Sequence, residues 1–297
     1  MSSTLFTAPP EWRWLVILYL FVGGLAGGCY FLAVLIDFFG RPADRPLARL
    51  AYYVAFPATI VSAMLLTFDL GKPLRFWHML FQSERWLPVV KPWSPMSLGS
   101  WALFAFGLFT LLSFVGALAD SGRLPWPALR SLRPPHVVGA IVAAGGGGLA
   151  FLVAGYTGVL LSVTNRPIWS DTNLLGLMFL LSAASTSAAL LALLGRGRRG
   201  SQSGVHALER LDTWVIVLEI VVLGALVVSL GSLARLWLNA WGVLLIVGVV
   251  GLGMVLPLLL KWQSRIIGRF GAPAAAVLVL VGGFLLRVVI VLSAQGV

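Results

Sequence analysis

The chain has 297 residues, of which 59% are hydrophobic and only 10% charged, and it carries a net charge of +11. So little polar surface cannot cover a water-soluble globule, and repeated apolar runs of about twenty residues mark an all-α, polytopic integral membrane protein. Nucleic-acid binding is excluded as the meaning of the positive charge. The basic residues sit in short connections between apolar runs, where topology and anionic lipid headgroups account for them.

Eight transmembrane helices are predicted, near 13–38, 50–69, 98–119, 136–162, 172–194, 211–231, 239–261 and 272–293. Met1 to Trp12 holds Glu11 and no lysine or arginine, and the run that follows is too long for a signal-peptide core, so it is expected to remain as the first span. That span carries Gly23-Gly24 and Gly27-Gly28, and the fourth carries Gly145 to Gly148. Small residues let helix backbones approach closely; they also leave a slot in which a flat or isoprenoid ligand fits. Cys29, the one cysteine, can form neither an internal disulfide nor a four-cysteine iron–sulfur site. His78, His136 and His206 lie at span ends or in connections, so no facing pair is present for a bis-histidine haem. No haem and no metal are expected in this chain.

The second span leads into the one long connection, Phe68 to Ser100, which opens with Asp69 at the hydrocarbon edge. Gly71 and Pro73 break the helix, and Lys72, Arg75, Trp77 and His78 follow closely. An ionisable residue at such a place is costly unless it is paired or working. One reading is an interfacial belt, or a salt-bridged helix end. The other is acid–base chemistry, with Asp69 accepting a proton from a quinol hydroxyl and His78 assisting. The fourth span leaves the membrane on the same face, bringing Tyr156-Thr157-Gly158, Ser162 and Asn165-Arg166-Pro167-Ile168-Trp169 toward that connection.

A third polar cluster lies in the second half: Asp212, Glu219, Arg235 and Arg287. Glu219 and Arg287 fall inside spans, so an internal ion pair is the expectation, and a proton route through Asp212, Glu219 and Arg287 is the alternative. Lysine and arginine are unevenly divided. Thirteen lie in the connections after the odd-numbered spans, such as Arg41, Arg133, Arg210 and Lys261, against seven on the other face, such as Arg13, Lys72 and Arg166. The positive-inside rule then places both termini and the long connection outside the cytoplasm.

Taken in order, several motifs resemble the polysulfide reductase membrane-subunit family, also called NrfD-like. They are the glycine-rich first span, Asp69-Leu70-Gly71-Lys72-Pro73, Phe76-Trp77-His78-Met79, Ser94-Pro95-Met96-Ser97-Leu98-Gly99-Ser100-Trp101, Tyr156-Thr157-Gly158 and Pro167-Ile168-Trp169-Ser170. The resemblance implies two four-helix bundles, here 1–170 and 171–297, in a bacterial or archaeal cytoplasmic (inner) membrane. It implies a quinone (menaquinone or ubiquinone) site in the first bundle and no cofactor held permanently by this chain. The implied partners are a ferredoxin-like iron–sulfur subunit and a catalytic, usually molybdenum, subunit. Carried onto this sequence, Asp69 and Tyr156 are the expected quinone neighbours and His78 a further proton handler, while Lys72, Arg75, Ser162 and Arg166 hold the ring or the partner. Some members place a histidine or asparagine in the first span; residues 15–38 contain neither. The rival readings are an ion- or proton-conducting transporter module and a passive membrane anchor.

Overall fold

A computed structural model describes residues 12–82, 87–197, 201–262 and 270–295. Arg85, Arg198, Arg199, Arg265 and Arg269, counted above for topology, lie outside the described residues, as does Glu11. The described residues form eight helices long and apolar enough to cross a membrane. They are α1 (Trp14–Phe39), α2 (Arg45–Asp69), α3 (Pro95–Asp120), α4 (Val137–Ser162), α5 (Leu175–Gly195), α6 (Gln202–Leu230), α7 (Ala240–Trp262) and α8 (Gly271–Ser293). All backbone polar groups inside a bilayer must be satisfied within the protein, and helices do this within the segment itself.

Two helices start earlier than hydropathy predicts. α2 begins at Arg45 with Pro46 in its first turn, a position where the missing N–H costs nothing. α6 begins at Gln202, nine residues before the expected 211, because its first turns are charged and therefore invisible to a hydropathy window. Contacts with the α1–α2 connection hold that end. Asp44 is buried, and its Oδ1 accepts from Gly204 N at 2.9 Å and Ser203 Oγ at 3.1 Å. α7 is also less regular than a uniform apolar run suggests, being π-helical from Leu244 to Val255.

α1 is the central strut, packed against α2, α4 and α5; α5 in turn packs on α4, α6 and α8. The glycines of α1 explain how. A Cβ on Gly27 would stand 2.7 Å from Ala150 O of α4, and one on Gly28 would stand 2.5 Å from Ala183 O of α5. Gly24 faces the Arg287 guanidinium, 3.0 Å from a Cβ built there. The space these glycines free is filled by α4, α5 and Arg287, so the ligand-slot reading of this stripe is corrected: it is a packing seam. Gly253 of α7 and Gly282 of α8 form a similar backbone-to-backbone contact.

Buried side chains fall into two clusters, and each draws on both halves of the chain. The clusters divide by depth along the helices. Val16, Ile17 and Leu20 belong to one, while Ala26, Tyr30 and Val34 belong to the other. At the far end of the first four helices, Arg133 is buried instead of lying in a solvated connection. Its Nη2 meets Asp37 Oδ1 at 2.6 Å and its Nη1 meets Asp120 Oδ2 at 2.7 Å, over the Tyr52 ring. Buried charges require such pairing.

Candidate functional site

The site is built from the end of α2 upward. Leu70 and Gly71 leave the helix, and Pro73–Met79 form a 3₁₀ turn. Three residues per turn align positions three apart, so Arg75 and His78 stand along one ridge even though Pro73 prevents a continuous α-helix, with Lys72 just before the turn. His78 Nδ1 lies 3.1 Å from Arg75 O, and its ring lies against Trp77 at 3.7 Å between centroids. A bridge between Phe81 and Pro88 returns the chain. The returning segment is fastened to α3: Trp101 Nε1 donates to Val89 O at 3.0 Å and Lys91 N to Ser97 Oγ at 3.1 Å. The long connection is therefore a structured cover on α3.

Beneath the cover, helix register decides which residues meet. Gly23 of α1 faces Ser62 of α2, and Gly27 faces Ala150 and Ala154 of α4. α1 runs antiparallel to both, so moving one turn from Gly23 toward its start brings Tyr19 to the level of Leu66, and two turns from Gly27 bring it to the level of residues 158–162 of α4, beyond Tyr156. Arg13, at the start of α1, stands at the same end of the helices as Asp69, at the end of the antiparallel α2. Among the described residues Asp69 forms no ion pair with Lys72 or Arg75, so the salt-bridged helix end is not the arrangement found. The Tyr156 hydroxyl donates to Pro95 O, and its ring lies against Gly99, pinning the start of α3 to α4. Sequence reasoning did not single out Tyr19, whose ring is buried at this end of α1. A tyrosine one turn before Gly23, within an otherwise apolar stretch, was the available signal.

Apolar side chains surround this end without covering it: Phe68, Phe76 and Met96 are exposed, Leu74 is 90% exposed and Trp93 80%. Ser162 Oγ bonds back to Val159 O of its own helix. Arg166 is buried, and its Nη1 lies 3.5 Å from Ala294 O, so it holds the end of α8. Trp169 stacks on Trp12 at 5.1 Å and donates to Ile290 O at 2.7 Å. Between them Ile168 adopts a φ of 71°, which costs a β-branched residue about 1–3 kcal/mol and must be held by these contacts.

The second-half cluster is arranged differently from the expectation. Arg287, fully buried, donates from Nε to Leu20 O at 3.1 Å and from Nη1 to Gly283 O at 2.6 Å and Ser182 Oγ at 3.1 Å. The Phe21 and Phe179 rings flank it, and its Nη2 has no hydrogen-bond partner. The expected Arg287–Glu219 ion pair is absent among the described residues, because main-chain carbonyls and Ser182 take the guanidinium instead. Glu219 faces a cavity of about 10 Å³ with Ser182, Ser185 and Thr186, close to the space one water needs. Asp212 accepts from Ser185 Oγ at 2.7 Å and pairs with Lys261, a residue sequence reasoning counted only for topology. Arg235 stands apart, exposed in the 3₁₀ turn after α6.

No group of three or more histidine, cysteine, aspartate or glutamate side chains converges as a metal site among the described residues. A quinone needs an apolar surface for its ring and tail, and hydrogen-bonding or acid–base groups at its two oxygens. Asp69, His78 and Tyr156, at the end that the exposed apolar collar surrounds, are polar groups of the kind that fits such a ligand.

The family described as "Polysulphide reductase, NrfD" matches residues 5–297. The sequence is 31% identical over 279 residues to one of the polysulfide reductase chains of Wolinella succinogenes, covering 84% of this protein and 82% of that one. It is 30% identical over 315 residues to protein NrfD of Escherichia coli, covering 96% and 95%. A shorter match, 25% over 112 residues, joins 38% of this protein to 24% of a selenate reductase subunit of Mesobacillus selenatarsenatis.

Proposed function

Because this multi-pass membrane protein belongs to the polysulfide reductase NrfD family, we propose that it is the quinone-reactive membrane subunit of a multi-subunit oxidoreductase. The observation that carries this reading is Asp69 at the end of α2, unpaired with the neighbouring lysine and arginine and ringed by exposed apolar side chains. A bound quinol supplies two electrons and, on oxidation, releases two protons. Asp69 accepts one proton at its carboxylate. Tyr156 presents its hydroxyl to a ring oxygen by releasing Pro95 O. His78, exposed at the rim, takes the second proton and passes it outward. Lys72 and Arg75, both exposed beside it, attract negative charge on the ring or on a docked partner.

The electrons pass to an iron–sulfur partner covering the apolar collar, next to a catalytic subunit. The names of the relatives suggest reductases of polysulfide or selenate type. In this reading the protein lies in the cytoplasmic membrane of a bacterium or archaeon as two bundles, 1–170 and 171–297, with both termini and the cover on the non-cytoplasmic face. Photolabelling the intact complex with an azido-quinone tests it. Label on the α1, α2 and cover peptides is expected, and label confined to α5–α8 would reject the site.

A second reading, compatible with the first, is proton movement through Asp212, Glu219 and Arg287, favoured by the polar cavity at Glu219. Full proton translocation by Glu219→Gln in proteoliposomes would remove Glu219 as an essential relay.

A further inference from the structure

We infer that the groove between the α1–α2 connection and the outer face of α6 is a binding site for one anionic phospholipid. The groove encloses about 720 Å³, and its walls include Phe39, Arg41, Asp44, His206, Arg210 and Trp214. The acids near it are turned to other partners. The Asp44 carboxylate is buried and already accepts from Ser203 and from the backbone of Gly204 at the start of α6. Glu209, the nearest other acid on α6, is held by Arg196 and His206. Arg41 and Arg210 are exposed, and among the described residues neither side chain has an ion pair or a hydrogen bond. Against the one carboxylate in its lining, Asp44, the two guanidiniums leave the groove net positive, which suits a phosphate that they can grip by paired N–H donors.

The rest of the groove selects a lipid over a free anion. Phe39 is 81% exposed at one wall and Trp214 66% exposed at the other. Below Trp214, Leu218 and Val221 follow at i+4 and i+7 on the same face of α6, all of them exposed. That stripe descends about 10 Å along a helix that crosses the membrane, which gives an acyl chain a track beneath its headgroup. A tryptophan at the junction of a basic rim and an apolar track is the arrangement expected at a membrane interface. The site lies on the connection after α1, at the opposite end of that helix from Arg13 and Tyr19.

The test uses the intact complex in zwitterionic nanodiscs, titrated with phosphatidylglycerol or phosphatidylcholine. Retained lipid is counted by native mass spectrometry and thermal midpoints are followed. The wild type is expected to prefer phosphatidylglycerol and to be stabilised by it. Arg41→Gln/Arg210→Gln is expected to lose that preference by about tenfold. Arg123→Gln, on the connection after α3 and over the Tyr53 ring, is expected to keep it. If the double glutamine variant fails to assemble, Arg41→Lys/Arg210→Lys, which keeps charge but loses the fork, is expected to show an intermediate preference. Unchanged preference in either double variant overturns the proposal. So does equal loss in Arg123→Gln, or the same stabilisation by inorganic phosphate alone. Loss of a partner subunit from the double variant with lipid retention unchanged would make the groove a protein interface and also overturn it.

Discussion

Replacing Gly28 by alanine tests whether the α1 glycines are a packing seam. The new Cβ would stand 2.5 Å from Ala183 O, and nearer still to Ser187 Oγ. An ordinary carbon–oxygen contact is about 3.3 Å, so α1 and α5 must part by about 0.8 Å or distort locally. Ser187 Oγ also donates to Leu25 O across this seam at 3.2 Å, and parting the helices stretches that bond. Overpacking costs about 1–3 kcal/mol, against about 0.5–1 kcal/mol gained by alanine over glycine in a helix. The net expectation is a loss of about 0.5–2 kcal/mol. Gly148→Ala is the control, since nothing lies within 4 Å of its new Cβ and only the helical gain should appear. Unfolding of the purified complex in mixed SDS micelles measures both. Equal stability of the two variants would refute the seam. An unchanged Gly28→Ala stability joined to a raised KM for quinol would restore the ligand slot that the packing replaces.

Three further outcomes follow from the same contacts. Arg133→Met leaves Asp37 buried without its cation and should cost about 3–5 kcal/mol, read as a fall in the thermal midpoint of the complex; wild-type stability would show that the pair is dispensable. Asp212→Asn should destabilise by orphaning Lys261, and adding Lys261→Met should recover most of the loss, so a double variant no better than the single one would deny the coupling. Tyr156→Phe removes the hydroxyl that holds Pro95 O, with a stability cost of about 0.5–1.5 kcal/mol. Quinol turnover should fall much further than that cost explains, and turnover at the wild-type level would confine Tyr156 to a structural tie.

Much of the fold was readable because a membrane span writes itself as about twenty apolar residues, which is why all eight helices were placed. The early start of α6 was not readable, since charged turns fixed by Asp44 carry no hydropathy signal. The partners of buried charges were hidden for a related reason. Arg133 and Asp37 are 96 positions apart, and only the fold brings them together. For Arg287 the sequence offered an acid, Glu219, whereas the guanidinium is satisfied largely by main-chain carbonyls that no sequence motif names. Asp69, His78 and Tyr156 stood out as polar groups in apolar or broken-helix settings. Tyr19 reaches the same end through the register of α1 on α2 and α4, which depends on where its glycines allow contact.

The most direct test is quinol-dependent electron transfer by the purified complex, wild type beside Asp69→Asn, with partner subunits quantified in both. A proton-accepting role predicts an intact complex with turnover reduced about 10²-fold or more, the scale of a lost acid–base group. Wild-type turnover in the variant, with the partners bound, would contradict proton chemistry at Asp69 and leave it as the polar end of α2.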